Sequence, residues 1–145
     1  IEMPMSSLTL KQAQGLITAA FATARDKGYK PMGVVVVDAA GQIKAAARED
    51  GATALRIDIA NGKASAALGM GVNSRVLAQR AKDLPAFLTA LASVSSQKFL
   101  PQTGAVLIQD ASGTVLGAAG ASGGTGDEDE EICIAGIAAV GLQHA

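Results

Sequence analysis

A ten-residue pattern that occurs twice sets the strongest limit on what this chain can fold into. DAAGQIKAAA begins at Asp38, and DASGTVLGAA begins 72 residues later at Asp110. Both copies open on Asp with Gly three positions on, which is turn chemistry. A β-branched run, 34–37, precedes the first copy, and GAVLIQ precedes the second. Each region therefore reads as a hairpin, with strands predicted over 34–37 and 43–47, then over 105–109 and 115–119. The likeness is either an internal duplication or turn chemistry that hairpins share. Both readings give the same fold class: α+β, an antiparallel sheet built from hairpins with helices packed on a face. At 145 residues the chain is read as one domain, 1–145.

Helices are expected around the hairpins. Thr9 and Gln12 fit a capping box for a first helix over 9–27, with Leu10, Ala13, Ile17, Ala20, Phe21 and Ala24 as its apolar stripe and Gly28 as its stop. After the loop Arg48-Glu49-Asp50-Gly51, an alanine-rich helix is expected over 55–68, broken by Gly69-Met70-Gly71. Asn73 or Ser74 caps a further helix to about 82, and Pro85 opens another to about 92. The stretch 93–103 reads as polar loop. A last helix is predicted over 127–143.

Composition narrows the function classes. Aromatic residues make up 3% of the chain and there is no Trp, so stacking platforms for bases are nearly absent. The formal net charge is −1 with no basic stripe, so nucleic acid has no electrostatic purchase. The single cysteine, Cys133, excludes an internal disulfide and a cysteine-cluster metal site, and its isoleucine neighbours predict a buried thiol. No metal site is expected. No apolar run nears the ~20 residues that span a bilayer. The start Ile1-Glu2-Met3 lacks the charged and apolar regions of a signal peptide, and a cytoplasmic location is expected.

The run Asp127 to Glu131 places five carboxylates side by side, between the glycine-rich segment 120–126 and an apolar stretch. Five like charges repel unless they are put to use. A helix N-terminus uses some of them, because its free N–H groups and partial positive charge favour acids in the first turn. Asp127 as N-cap with Glu130 three residues on makes a capping box. The same geometry serves a ligand: backbone N–H groups at Gly123, Gly124 and Thr125 can bind an anion or a developing oxyanion. The neighbouring acids disfavour a phosphate there and suit a cation, a hydroxyl-rich ligand or proton transfer.

Lys63 is the second candidate. It lies among alanines, with Arg56, Ala60 and Ala67 on the same helical stripe. A desolvated lysine acts as acid, base or Schiff-base amine, and the alternatives are a snorkelling side chain or one paired with a carboxylate. Arg48 and Asp50 either pair with each other or orient a ligand carboxylate. If both hairpins share a sheet, the loops after them emerge at one end, and these groups converge on a glycine-lined cleft. Without an interior histidine no Ser/His/Asp or Cys/His triad can be assembled.

Two stretches together carry a resemblance. VVVVDAAGQIKAAAREDGA, followed by a helix holding Lys63, and GASGGTGDEDEEICIAGI resemble the GlcG/HbpS-like proteins, a family that includes the C-terminal domain of PduO-type proteins. The resemblance runs from about Leu8 to Val140. It implies a compact α+β domain, a homo-oligomer, and a small-molecule ligand, in some members haem or a related tetrapyrrole. Asp129 and Glu130 fall on the Asp-Glu of the GxSGGTGDxDE pattern.

Against a haem-binding expectation stands the ligand supply. The only histidine, His144, is one residue from the end and is expected to be frayed. Tyr29 and Cys133 are other donors, and Met3 and Met5 are terminal. Haem stays open through a surface or inter-subunit site that uses Thr, Lys or Met. Two functions are therefore expected. One is small-molecule binding of the GlcG/HbpS type, haem included. The other is a cofactor-independent lyase or isomerase, working by retro-aldol cleavage with formaldehyde release or by proton transfer on a small hydroxylated aromatic catabolite. Its catalytic groups would be Lys63 with Asp129 or Glu130, and Arg48, Asp50, Gly123, Gly124 and Thr125 would bind the ligand.

Overall fold

The two copies of the repeated pattern build the same object twice. In a computed structural model that describes residues 7–145, strands β1 (Gly33–Asp38) and β2 (Ile43–Arg48) form the first hairpin. Strands β3 (Ala105–Gln109) and β4 (Val115–Ser122) form the second. The Asp38 carboxylate accepts hydrogen bonds from the backbone N–H of Ala40 and Gln42. Asp110 does the same for Ser112 and Thr114. Both hairpins shift register at equivalent places, between Val36 and Val37 and between Ile108 and Gln109. The correspondence therefore extends from the turn into the strands.

The sheet order is β2-β1-β4-β3-β5, antiparallel throughout, so the second hairpin lies beside the first in the same orientation. Gly33 of β1 faces Arg48 on one side and Ser122 on the other, which puts the loops after β2 and β4 at one end of the sheet. The fifth strand, β5 (Gln143–His144), is a correction to the sequence reading. Residues 140–143 do not continue the last helix, and His144 is not frayed: it pairs with Ile108 on the edge of the sheet.

Among the described residues, five helices cover the sheet: α1 (Leu10–Asp26), α2 (Arg56–Met70), α3 (Ser74–Asp83), α4 (Pro85–Val94) and α5 (Gly126–Ala139). They pack on both faces, where the sequence reading expected one. The reason lies in β1, whose Val34 and Val36 point one way and Val35 and Val37 the other, all fully buried. Val34, Val36, Val106 and Ile108 meet α1 and α5 through Leu16, Ile17, Ile132 and Ile137. Val35, Val37, Ala105 and Leu107 meet α2 through Ala60, Ala64 and Ala67. A third small cluster, Ala66, Leu77 and Leu88, seats α3 and α4 behind α2.

The cap of α1 forms as the sequence predicts. Gln12 N–H donates to the Thr9 hydroxyl and Thr9 N–H donates to the Gln12 side chain, each at 3.0 Å. The expectations that rest on Ile1 to Met3 and on Met5 lie outside the described residues. Among those described, no helix is long and apolar enough to cross a membrane.

Candidate functional site

The acidic run is divided among separate partners, and that division builds the site. The N-cap of α5 is Thr125, not Asp127. Glu128 N–H donates to the Thr125 hydroxyl at 3.1 Å, and Thr125 N–H donates to the Glu128 carboxylate at 2.9 Å. The capping box thus lies two residues earlier than predicted. Glu131 pairs with Lys27 and accepts a hydrogen bond from the Tyr29 hydroxyl at 2.6 Å. These two partners hold its carboxyl below the usual range, the Lys27 hydrogen bond most of all. Asp127 and Glu130 share Arg75 at the surface.

Asp129 is left facing inward. It shares the buried face of α5 with Ile132, Cys133 and Gly136, and is 1% exposed. Its carboxylate accepts from Lys63 Nζ at 3.0 Å and from Gly124 N–H at 3.0 Å. Lys63, 5% exposed, also donates to the Ala121 carbonyl at 3.1 Å. The ion pair joins helices from opposite faces of the sheet, passing over Gly104. A methyl group on Gly104 would lie 2.7 Å from Lys63 Nζ, and the residue's φ is +137°, so both the passage and the backbone require glycine there. Burial pushes the Asp129 carboxyl up, against the opposing pull of Lys63 and Gly124. Burial also pushes the neighbouring Cys133 thiol up, so it is an inert core group that meets the Gly104 carbonyl at 3.7 Å.

The pair opens into a cavity of about 490 Å³. Its walls come from α2 (Arg56, Ile59, Lys63), the end of β4 (Ser122), the start of α5 (Gly126, Asp127, Asp129) and the loop before β3 (Leu100, Gln102, Thr103). Arg56 donates to the Thr53 hydroxyl at 3.0 Å and to the Ser122 hydroxyl at 3.1 Å.

Of the residues singled out from sequence, the structure brings together Lys63, Asp129, Gly124 and Thr125. Gly123 packs against Pro31 and Met32 instead of lining the cavity, and the Gly124 and Thr125 N–H groups are taken by Asp129 and Glu128. Glu130 turns away to Arg75. Arg48 and Asp50 do not pair with each other. They line a separate hollow with Phe21, Arg25, Pro31 and Glu49, and Arg48 donates to the Ala52 carbonyl at 2.6 Å. Both loops do leave the same sheet end, but β1 stands between them and Arg48 joins the α1 side.

Sequence reading missed the wall Leu100 to Thr103. No local pattern ties that loop to α2, and it is held there by Leu100 N–H donating to the Gly62 carbonyl at 3.1 Å. It also missed Ser122 as a site residue, and Arg56 entered only as a stripe position. A spacing of seven residues between Arg56 and Lys63, two helical turns, was the available signal.

Known proteins share this arrangement of sheet and helices. The crystal structure of the PduOC:haem complex superposes with a TM-score of 0.82 at 26% identity, covering 94% of this chain and 96% of that one. A double-substituted HbpS of Streptomyces reticuli gives a TM-score of 0.82 at 29% identity, covering 97% of this chain and 91% of that one. Klebsiella pneumoniae protein ORFY, at 23% identity and a TM-score of 0.83 over 96% of this chain and 94% of that one, shares the fold. No curated protein matches. A family model described as haem-degrading protein HbpS-like matches residues 8–138, and the chain belongs to that family.

Proposed function

We propose that this chain binds a small molecule in the cleft between Arg56 and Asp127, and that haem is the ligand class to test first. The observation that carries the reading is the family match over residues 8–138. The haem complex of the structurally similar PduOC supports it.

The cleft suits one part of such a ligand and not another. Its cations, Arg56 and Lys63, suit carboxylates of the kind at a porphyrin edge. Among the described residues, no His, Cys, Met or Tyr lines it, so it offers the iron no strong donor. His144 is exposed on β5 and is not part of the cleft. Binding is therefore assigned to the ligand's edge. The buried Lys63–Asp129 pair is also what the lyase or isomerase alternative would need, but neither the family description nor the solved relatives supports that reaction.

Titration of the purified protein with haemin, followed in the Soret region beside free haemin and albumin, tests the reading. A saturable, stoichiometric shift is the expected result. A spectrum that never departs from the controls removes haem as the ligand.

A further inference from the structure

We infer that the cleft reads a single carboxylate, with Arg56 as the group that contacts it, and that a small metal-free monocarboxylate is sufficient as ligand. This rests on the reading of the cleft as the ligand site.

Several hydrogen-bond donors in the cleft lack an acceptor. Arg56 spends Nε on Thr53 and one Nη1 proton on Ser122, and among the described residues it has no carboxylate partner. Its Nη2 has no acceptor among those residues either. Ser122 is 2% exposed, and its hydroxyl accepts from Arg56 while its own proton finds no acceptor among the described residues. Lys63 gives two of its three protons to Asp129 and Ala121. Among the described residues every fully buried side-chain nitrogen and oxygen has a partner, and Arg56 is half-buried, so its spare protons face the open cleft. Here three side chains line one cavity with donors in surplus.

The two carboxylates that line the same cavity are already engaged. Asp129 takes Lys63 and Gly124, and Asp127 takes Arg75. An anion from outside would give these donors a charged acceptor in place of water. Ion pairing, and not net charge, bears on its valence. Lys63 pairs with Asp129, and Arg75 with both Asp127 and Glu130, so these three carboxylates offset all three cations in sum, yet Arg56 is the one of the cations with no carboxylate at ion-pair distance among the described residues. A single unpaired guanidinium beside an acidic helix start suits a monoanion and disfavours a phosphate dianion. A planar carboxylate fits the fork of a guanidinium. Ile59 and Leu100 supply an apolar wall beside it, which suits a carboxylate carried on a ring or an alkyl body.

The test is calorimetric titration with benzoate against its neutral isostere benzamide, on the wild type, Arg56→Gln and Arg56→Lys. Thermal melts of each variant confirm that it is folded. Benzoate is expected to bind saturably and benzamide not to bind. Arg56→Gln should weaken benzoate binding at least about tenfold, the loss of one charge-assisted contact, and Arg56→Lys should restore part of it. In parallel, metal-free protoporphyrin and its dimethyl ester are compared by fluorescence quenching. Benzoate binding that depends on Arg56, without any haemin shift, would remove the haem reading and leave the carboxylate site standing. Haemin binding that is equal in Arg56→Gln, or ester binding equal to that of the free acid, overturns the carboxylate site and leaves haem binding in place. Absence of Arg56-dependent binding of both benzoate and protoporphyrin also overturns it.

Discussion

At the scale of single residues, the molecule is organised around one buried ion pair. Taking two charges out of water is expensive, and Lys63 and Asp129 recover that cost only with each other and with the backbone of Ala121 and Gly124. Removing one partner strands the other. Lys63→Met should destabilise the fold by about 3–5 kcal/mol near neutral pH, because Asp129 is left buried without its cation. The pH dependence of that loss has a defined sign. Burial already pushes the Asp129 carboxyl up, and deleting Lys63 removes a charge that pulls it down. In the variant the folded-state pKa therefore lies further above the unfolded value. A group raised in this way contributes its stability below the unfolded pKa and loses it as pH rises through the folded pKa. The deficit of Lys63→Met relative to wild type should be small near pH 4 and grow towards neutrality. Urea denaturation of both proteins across that range measures it. A deficit that shrinks as pH rises would show that Asp129 is not the group left stranded. Lys63→Met with Asp129→Leu, in which no charge remains, should recover much of the loss.

At the scale of elements, the helix starts show what local sequence can and cannot decide. The α1 cap was legible because Thr9 and Gln12 are its only candidates, and both reciprocal bonds form. The α5 cap was not. Thr125 with Glu128 and Asp127 with Glu130 both satisfy the same spacing, two residues apart. What separates them is tertiary: the side chain of Asp127 is drawn outward to Arg75 with Glu130, and Asp129 lies on the buried face of the helix against Lys63, which leaves Thr125 and Glu128 to form the cap. Neither Lys63 nor Arg75 is near in sequence, so the local pattern had no means of choosing. The same limit applied to Arg48 and Asp50, which were placed at the correct sheet end but on the wrong side of β1. Lys63, in contrast, was recoverable from its setting among alanines, whereas Asp129 was singled out only by the family's Asp-Glu pattern, together with Glu130, which turns away to Arg75. The α5 assignment carries its own test. Thr125→Ala should cost about 0.5–2 kcal/mol, and Asp127→Ala should cost less, since Asp127 is exposed and caps nothing. Equilibrium unfolding in urea distinguishes them, and a larger loss at Asp127 would restore the later start.

At the scale of the whole molecule, the hairpin repeat and the scarcity of large side chains act together. Two equivalent hairpins set side by side give a sheet whose central strands, β1 and β4, are buried on both faces. Such a sheet needs helices above and below, and the small residues determine how closely they approach. Helix α5 reaches α1 at Gly136, where an added methyl group would lie 2.5 Å from the Leu16 carbonyl oxygen and 3.0 Å from the end of its side chain. The carbonyl is main chain within α1, so it cannot step aside without moving the helix. Gly69 offers the contrast. It lies in α2, a methyl group added there would meet nothing within 4 Å, and its backbone is not in the left-handed region. The two glycines therefore predict opposite signs for one substitution. Gly136→Ala should destabilise by about 1–3 kcal/mol through overpacking, despite the better helix propensity of alanine. Gly69→Ala should stabilise by about 0.4–1 kcal/mol by limiting the unfolded chain. Urea unfolding of the two variants beside wild type reads both. If Gly136→Ala were as stable as wild type, α1 and α5 would have room to part, and close approach would not be what fixes the layers of this fold.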